Sequence, residues 1–299
     1  MNKIVGVGAC VLDTIIEMPS YPTEDFKVKA DNVFTSGGGP VGNALVAITR
    51  LGVPSSYLGV LSKDATGDTL IKEFNQYGVE TKYVKQVENT KAFTSYIVLN
   101  KANGSRTCVY DRGNVPQDPS LLDFSVLDDA SILHLDGNSL PIAIEAAKIA
   151  KKNGILVSLD AGGLYSGIEE LLSYVDILIP SEEFATKITK KDTVEEAIQT
   201  LNEMYHPKVL VVTMGSKGGV YMDGNALKYY PCFKVECIDS NGAGDTFHGA
   251  FLVAYLDGKS ILDCCKFASA TSAIKCQKAG VRVALPYKEE VNKFLLDRD

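Results

Sequence analysis

The sequence predicts an α/β fold in which a doubly wound, mostly parallel sheet carries helices on both faces. Two observations predict it. Beyond residue 130, short apolar segments of strand character alternate with segments of helical spacing, which is the pattern of βαβ units. Before residue 130, a β-rich stretch alternates in polarity, which indicates a smaller sheet with one face exposed or ligand-facing.

The alternation in the second half predicts seven elements before a hairpin. In chain order they are strand 132–135, helix 141–152, strand 156–160, helix 168–173, strand 177–179, helix 193–204 and strand 209–213. Segments 218–222 and 226–230 then read as antiparallel strands around the turn Asp223-Gly224. Helices follow at 244–256, 260–275 and 288–296.

The first half is predicted to contain strands at residues 4–8 and 56–61 and a helix at 43–52, where Gly52 is a natural stop. Residues 25–35 are polar and mixed, and are poor candidates for a core.

A hairpin is predicted from residues 93–99 and 106–110, with Asn103-Gly104 supplying positive φ at its turn. We find no linker and no repeat, so we expect one domain over residues 1–299. Segments near 14–35 and 90–112 would form a small β excursion from it.

Composition and charge exclude several classes of function. The chain has 299 residues, 45% hydrophobic and 22% charged, with a net charge of −7, which disfavours a nucleic-acid-binding surface. Seven cysteines without C-x-x-C spacing predict reduced thiols, and three scattered histidines make a zinc site improbable. Neither a signal peptide nor an apolar stretch near the ~18 residues of a membrane span is found. We therefore expect a cytoplasmic protein.

The strongest candidate for chemistry is the run Asp239-Ser240-Asn241-Gly242-Ala243-Gly244-Asp245, which precedes an apolar helix. Its glycines free the backbone, so successive N–H groups can converge on an anion at the positive end of the helix. Asp245 in the first turn is then placed to accept a proton from a substrate hydroxyl. The same residue types also suit a plain glycine-rich helix start, and the run alone does not decide between the two.

A second candidate is the turn Thr213-Met214-Gly215-Ser216-Lys217-Gly218, directly after an apolar strand. This position suits a nucleotide phosphate, with Lys217 nearby, although a simple tight turn into a hairpin fits equally well. The turn is not a Walker A loop, because the chain contains no G-x-x-x-x-G-K-[ST].

A third glycine-rich stretch favours a rival function. Gly37, Gly39 and Gly42 match G-x-G-x-x-G before a helix, and Asp64 follows at a suitable distance for an NAD-dependent dehydrogenase. The context disfavours this function, because the preceding segment is polar rather than the first apolar strand of a βαβ unit. Asp13 and Asp160 come near the ends of predicted strands and suit either a sugar-binding carboxylate or an ordinary cap.

Taken together and in this order, these stretches resemble the ribokinase-like (PfkB) carbohydrate kinases. Two signatures carry most of the resemblance. The N-terminal signature is Gly38-Gly39-Pro40-Val41-Gly42-Asn43 followed by Arg50-Leu51-Gly52, and the C-terminal signature runs from Asp239 to Phe247. Thr213-x-Gly215-x-x-Gly218 is similar to the nucleotide turn of the family. The resemblance covers essentially the whole chain, and the closest likeness is to fructokinase, ketohexokinase and sulfofructose kinase.

The resemblance implies a three-layer α/β/α domain with a small β-sheet lid, and an ATP-dependent sugar kinase. It implies that Asp245 is the general base and that Gly242, Ala243 and Gly244 form the anion hole. The sugar-binding residues implied are Asp13, Gly38, Gly39 and Asn43, with Arg106 reaching from the lid. The nucleotide-binding residues implied are Ser181, Thr213, Gly215, Lys217, Gly218 and Asn241.

The cofactors implied are ATP with Mg²⁺, and K⁺ as a candidate monovalent cation at Asp239. One departure concerns magnesium. The family commonly has N-x-x-E where this chain has Ser181-Glu182-Glu183-Phe184, so Glu183 is the candidate for holding Mg²⁺ through water.

The acceptor is less determined than the reaction. Fructose-like ketoses and ribose are the first choices, and a nucleoside is the alternative within the kinases. Arg106 and Arg112 suit an anionic group on a sugar, or solvated charges. A sensor without chemistry is the non-enzymatic alternative, which an intact Asp245 disfavours. Exposed strand edges of the lid favour a homodimer.

Overall fold

The computed structural model describes residues 2–102 and 105–298. Its strands in chain order are β1 (Ile4–Val7), β2 (Val11–Met18), β3 (Asn32–Gly38), β4 (Ser55–Tyr57), β5 (Gly59–Ser62), β6 (Val84–Val87), β7 (Thr94–Asn100), β8 (Ser105–Asp111), β9 (Ile132–Leu135), β10 (Leu156–Ala161), β11 (Ile177–Pro180), β12 (Val209–Thr213), β13 (Gly219–Asp223) and β14 (Ala226–Tyr230). Its α-helices are α1 (Pro40–Arg50), α2 (Ala65–Gln76), α3 (Leu140–Lys152), α4 (Ile168–Leu172), α5 (Glu182–Thr189), α6 (Val194–Tyr205), α7 (Ala243–Leu256), α8 (Ile261–Cys276) and α9 (Lys288–Leu296).

A central sheet of eight strands has the order β14-β13-β12-β11-β10-β9-β1-β4. The strands from β4 to β12 in this order pair in parallel, and β13 and β14 add an antiparallel hairpin at one edge. Both faces are covered, because the strands are continuous apolar runs that must be buried on each side. The predicted doubly wound, mostly parallel α/β fold is confirmed.

Two apolar layers separate the sheet from its helices. On one face, Leu45 of α1, Phe251 of α7 and Phe267 of α8 pack in the first core. On the other face, Ala146 of α3 and Ile198 of α6 belong to the second core. The result is a three-layer α/β/α arrangement.

A separate four-stranded sheet has the order β3-β2-β7-β8. β2 pairs antiparallel with β3 and parallel with β7, and β7 pairs antiparallel with β8. We call it the small sheet. The pairing of β7 with β8 agrees with the predicted hairpin, whose turn at Asn103-Gly104 lies outside the described residues.

One prediction of local structure was wrong, and several observed elements had not been assigned. The segment 56–61 is not one strand, because β4 joins the central sheet whereas β5 pairs with β6 in a two-stranded sheet. Strand β3 lies largely in the segment 14–35, which was predicted to belong to the small β excursion without a strand of its own, and it pairs along its whole length with β2. Helices α2 and α5 lie in segments to which no helix was assigned.

Candidate active site

Polar side chains lie where the parallel strands end. Asp136 follows β9 directly, and Asp160 is the second-last residue of β10. Ser181 follows β11, and Thr213 is the last residue of β12. These strand ends share one edge of the sheet, which is where open α/β sheets bind their ligands.

The predicted base and a predicted sugar-binding residue meet at this edge. Asp245 lies in the first turn of α7, and Asn43 lies in α1. Asn43 Nδ2 donates a hydrogen bond to Asp245 Oδ2 at 2.7 Å, across 202 residues of sequence. The two signature motifs therefore form one site.

The environment of Asp245 suits a base. Burial raises the pKa of Asp245 to about 6, the charge of Asp160 adds to the rise, and the hydrogen bond from Asn43 opposes it. At neutral pH most of the carboxylate is therefore ionised, while its proton affinity is well above that of an ordinary aspartate. That combination is favourable for general-base catalysis.

The start of α7 is open to a ligand. Gly242 precedes the helix with φ 71, and an added Cβ there would lie 2.3 Å from Val281 Cγ1. Gly244 is exposed, and an added Cβ there would meet nothing within 4 Å. The Ala243 N–H donates to Ser240 O at 3.2 Å in a tight turn. The positive end of the helix dipole thus faces free space at Gly244, beside the carboxylate of Asp245.

Asp13 and the glycines of the N-terminal signature are in contact. Asp13 in β2 is buried and accepts a hydrogen bond from Ser95 Oγ at 2.5 Å. An added Cβ at Gly38 would lie 1.9 Å from Asp13 Oδ2, so this close approach requires glycine. Burial raises the pKa of Asp13, and the bond from Ser95 opposes that rise. Gly39 is the next residue and is the N-cap of α1.

Sequence reasoning missed the residue that holds this loop in place. Arg282 is fully buried, its Nε donates to Asn43 Oδ1 at 3.1 Å, and its Nη2 donates to Gly38 O at 3.1 Å. Its Nη1 lies 3.3 Å from Oε1 of Glu73, whose Oε2 accepts from Gly37 N at 2.6 Å. The sequence signal for a buried charge was a single arginine within the apolar segment 281–286, but the sequence does not show which residues it contacts.

A cavity of about 840 Å³ lies between the small sheet and the loop before α7. Asp13, Gly37, Arg106 and Asn241 are among its lining residues. Arg106 of β8 donates from Nη1 to Ser240 Oγ at 3.4 Å, so the small sheet touches the predicted catalytic run. The cavity is within the size range of small-molecule sites.

The predicted nucleotide residues form a patch at the ends of β11 and β12. Ser181 and Thr213 are paired across the two strands, and Thr213 Oγ1 donates to Pro180 O at 3.5 Å. Gly215 and Lys217 form a short 3-10 turn that Gly218 closes, where the Met214 N–H donates to Gly218 O at 2.8 Å. Lys217 is exposed, with Nζ 3.7 Å from Glu182 Oε2.

The candidate magnesium residue points to a neighbour in its own helix. Glu183 is exposed, and Lys187 one turn later lies 2.5 Å from Oε1 and lowers the pKa of Glu183. Within residues 2–102 and 105–298, no group of three His, Cys, Asp or Glu side chains is arranged to hold a metal ion. Glu182 Oε2 lies 3.7 Å from Lys217 Nζ, so the side chain of Glu182 faces the nucleotide turn and is a second candidate for holding Mg²⁺.

Buried polar groups support the site from below. Asp136 accepts hydrogen bonds from Ala9 N at 2.8 Å and Val41 N at 3.2 Å, and so joins the end of β1 to the start of α1. His248 of α7 has Nε2 3.2 Å from Asp160 Oδ1, and its ring lies 5.9 Å from that of His134. Burial lowers the pKa of His134 to about 3, so this histidine is neutral. These contacts hold α1 and α7 against the sheet.

Comparison with known sequences decides the family. The profile described as pfkB family carbohydrate kinase matches residues 1–288. The chain belongs to the PfkB family of carbohydrate kinases. Its Gly37-x-Gly39-x-x-Gly42 motif joins a strand of the small sheet to α1, and so does not have the context of a dinucleotide site.

Several relatives of this PfkB kinase are similar over their full length. Ribokinase of Haemophilus influenzae is 27% identical over 305 residues, covering 99% of each chain. The structure of Arabidopsis thaliana ribokinase complexed with ribose and ATP is 28% identical with a TM-score of 0.86, covering 98% of each chain. The structure of Thermotoga maritima ribokinase is 26% identical with a TM-score of 0.86, covering 99% of this chain and 100% of that one.

No helix of the kinase within the described residues has both the length and the apolar character to cross a membrane. Its predicted cytoplasmic location stays a prediction.

Proposed function

We propose that this kinase transfers the γ-phosphoryl group of ATP to a hydroxyl of ribose. The observation that carries the proposal is the Asp245 carboxylate, whose pKa is raised to about 6, at the open positive end of α7. The names of the relatives support the acceptor, since two similar solved structures are ribokinases and one of them contains ribose and ATP.

In the proposed reaction, Asp245 accepts the proton of the sugar hydroxyl as that oxygen bonds to the γ-phosphorus. The bond between the γ-phosphorus and the bridging β–γ oxygen breaks, and ADP leaves with the electron pair. The backbone N–H groups of Gly242, Ala243 and Gly244 lie at the helix end, where negative charge develops on the transferred group. Ala243 N–H would exchange its bond to Ser240 O for a phosphate oxygen. When bound, Mg²⁺ neutralises charge on the ATP phosphates.

The sugar would bind in the cavity beside the small sheet. Asp13 lines this cavity and offers carboxylate oxygens to vicinal hydroxyls, and Asn43 would contribute its side-chain amide. Gly38 and Gly39 would contact the sugar through their backbone, since an added Cβ at Gly38 would meet Asp13 and one at Gly39 would meet Ala9 O. Arg106, which already reaches Ser240, would cover the sugar from the small sheet. This covering excludes water, which would otherwise accept the phosphoryl group.

ATP would bind along the patch at the ends of β11 and β12. Thr213, Gly215 and Gly218 supply the turn, Ser181 lies beside Thr213, and Asn241 connects this side to the anion hole. Lys217 would lie near the phosphates. Glu183 stays the predicted water-mediated contact for Mg²⁺, and a comparison of Glu182→Gln with Glu183→Gln separates the two candidates.

A substrate panel tests the acceptor. ADP formation is measured with ribose, fructose, a nucleoside and no acceptor, at equal concentrations. We expect the highest kcat/KM with ribose and no ADP without a sugar. A higher kcat/KM with fructose or with the nucleoside would overturn the assignment of ribose but keep the kinase. ADP formation that does not depend on any acceptor would contradict the proposed transfer.

The small sheet is proposed to act as the lid of the single domain 1–299 and as the surface of a homodimer. β8 is an edge strand of the small sheet, and Val109 at 64% and Tyr110 at 59% are exposed on its two faces, so apolar side chains at this edge are accessible to a second copy. Light scattering should give twice the chain mass for the wild type and for Leu296→Lys, a change at an exposed apolar residue far along the chain. Val109→Lys should give a monomer, and a wild-type monomer at micromolar concentration would contradict the dimer.

A further inference from the structure

A lysine is buried beside the catalytic run. Lys275 is in the last turn of α8, and its side chain is fully buried. Its Nζ donates a hydrogen bond to the backbone oxygen of Asp239 at 2.8 Å and lies 3.7 Å from Asp239 Oδ2. A buried ammonium is unfavourable unless an anion or several acceptors compensate for the lost water. Asp239 supplies that compensation with two of its oxygens.

Asp239 connects three segments around this ammonium. Its Oδ1 accepts from Asn241 N at 2.8 Å, and its Oδ2 accepts from Gly280 N at 3.0 Å. The N–H groups of Ile238 and Asp239 both donate to Cys276 O, at 2.8 and 3.1 Å. The loop before α7 is therefore held to the end of α8 at the residue next to Lys275.

A second contact from α8 reaches the anion hole itself. Ser272, one turn before Lys275, donates from Oγ to Ala243 O at 2.9 Å. One face of α8 thus supports both the Asp239 end and the Ala243 end of the predicted anion hole. A change at Lys275 is expected to move backbone N–H groups whose placement matters for charge stabilisation.

A monovalent cation does not fit at Asp239 in this chain. The resemblance to the family implies K⁺ at this residue, and the oxygens that would bind it are the carboxylate and the backbone carbonyl. Both are already next to the Lys275 ammonium, at 3.7 and 2.8 Å. A cation bound to the same oxygens would overlap with the ammonium and would be repelled by its charge.

We propose that the ammonium of Lys275 replaces the monovalent cation beside the anion hole, so that this kinase does not require potassium. Burial lowers the pKa of Lys275, while the charges of Asp239 and Asp245 oppose that change. The ammonium contacts the carbonyl and the carboxylate of Asp239 as a bound ion would. Because it is part of a side chain, its presence does not depend on the salt in solution. The activity part of this proposal rests on the proposed kinase function, whereas the structural part does not.

The first measurement uses the wild type. The protein is exchanged into choline chloride, and KCl is titrated in at constant ionic strength while thermal unfolding and kcat are followed. A ligand that binds only the folded state raises the unfolding midpoint in a saturable way, so absence of binding leaves it constant. We expect no saturable rise of the midpoint and less than about a twofold change in kcat. A saturable rise of either quantity would overturn the proposal.

The second measurement uses variants of Lys275. Lys275→Ala removes the ammonium from both Asp239 oxygens, so kcat in choline should fall by about tenfold or more, as expected for losing a charge-assisted hydrogen bond. KCl or ammonium chloride should then raise its unfolding midpoint and part of its kcat. Lys275→Met fills the space with an apolar chain and should show no response to KCl. An unresponsive Lys275→Ala protein that folds would contradict the proposal.

Lys278→Ala is the matched control, because Lys278 is on the surface three residues later with Nζ 3.6 Å from Glu290 Oε1. It should behave as the wild type in both salts. If no sugar is phosphorylated, the proposed function fails, but unfolding still tests Lys275, since it needs no substrate. If Lys275→Ala does not fold, the wild-type titration alone still decides.

Discussion

The two glycine-rich loops of the site are held in place by different means. The sugar-side loop, residues 37–43, depends on side chains that are distant in sequence, because Arg282 bonds Gly38 and Asn43 while Glu73 bonds Gly37. The nucleotide-side turn, residues 213–218, is closed by its own backbone bonds, and Lys217 is exposed. The conformation of the sugar-side loop depends on buried charged side chains, so replacing one of them changes the loop. The conformation of the nucleotide-side turn depends on backbone bonds, so its side chains can be replaced with little effect. We therefore expect substitutions on the sugar side to have large effects and those in the turn to have small ones.

The largest effect is expected at Asp245, to which Asn43 of the sugar-side loop donates a hydrogen bond at 2.7 Å. Asp245→Asn removes the base while keeping the shape, so kcat should fall by roughly 10²–10⁴, with nucleotide affinity unchanged. Steady-state ADP formation and nucleotide titration measure the two quantities. Asp297→Asn, at an exposed helix end, is the control. A near-normal kcat in Asp245→Asn would contradict the assigned role of Asp245.

Arg282→Ala tests the buried charges of the sugar-side loop. It leaves Glu73 without its cation and Asn43 without a donor, so the free energy of unfolding should fall by about 3–5 kcal/mol. Urea denaturation measures it, and Arg298→Ala near the exposed C-terminal end of α9 serves as control. Arg282→Lys keeps the charge but cannot contact Asn43, Gly38 and Glu73 at the same time, so it should raise the KM for the sugar. A stability loss as small as that of the control would show that the two loops do not differ.

Asp13→Asn tests sugar binding without a change of volume. Losing a charged acceptor costs about 1.5–3 kcal/mol, so kcat/KM for the sugar should fall by about 10- to 100-fold while the KM for ATP is unchanged. Asp31→Asn, next to the small sheet and paired with Lys101 at 3.2 Å, is the matched control. A rise in the KM for ATP of similar size would place Asp13 outside the sugar site.

The pH dependence separates the role of Asp245 in activity from its effect on stability. Activity should rise with pH through about 6, because the ionised form is the base. Stability should change in the opposite direction. The pKa of Asp245 is about 6 in the folded state, and the ordinary value of an aspartate carboxyl is 3.8, so the folded state binds more protons between these values and loses stability as pH rises through this window.

Asp245→Asn should therefore be more stable than the wild type at pH 7.5, by up to about 3 kcal/mol, and equally stable near pH 3. Thermal unfolding at the two pH values measures the difference. A lower midpoint for the variant at pH 7.5 would show that burial does not disfavour the carboxylate.

The smallest effect is expected for Lys217→Ala in the nucleotide-side turn. Its contact with Glu182 is 3.7 Å long and exposed, and such pairs contribute about 0–1 kcal/mol. The KM for ATP should rise by no more than about fivefold, with kcat unchanged. Initial rates at varied ATP measure it, with Lys208→Ala as control. A loss of tenfold or more would show that both loops depend on specific side chains.

The elements that were predicted well have local signals. Strands β9 and β12 and helix α9 were predicted at their observed bounds, because an apolar run or a helical pattern is contained in the segment itself. Strand β3 was predicted only as part of the β excursion, without bounds, because its polar residues and glycines have low strand propensity and its conformation comes from pairing with β2 over seven residues. Tertiary pairing also decides residues 56–61, because β4 pairs with β1 in the central sheet whereas β5 pairs with β6 in a separate sheet.

The residues of the candidate site also fall into those with a local sequence signal and those without one. The two signature motifs identified Asp245, Asn43 and the glycines, and their family membership is confirmed. The roles of individual residues stay predictions. Arg282, Glu73 and Lys275 were not found, because each is an ordinary charged residue until its partner is known. Those partners are 36 or more residues away, and periodicity carries no information about them.

The sequence by itself determined the fold class and the family and predicted the candidate catalytic run, because those depend on residue order and on short motifs. Only the tertiary structure decided that Asn43 bonds Asp245, that burial raises the pKa of Asp245 to about 6, and that the ammonium of Lys275 lies at Asp239. Burial and charge proximity are properties of the packed chain. They arise when α1, α7 and α8 are brought together at one edge of the sheet, and no segment has them in isolation.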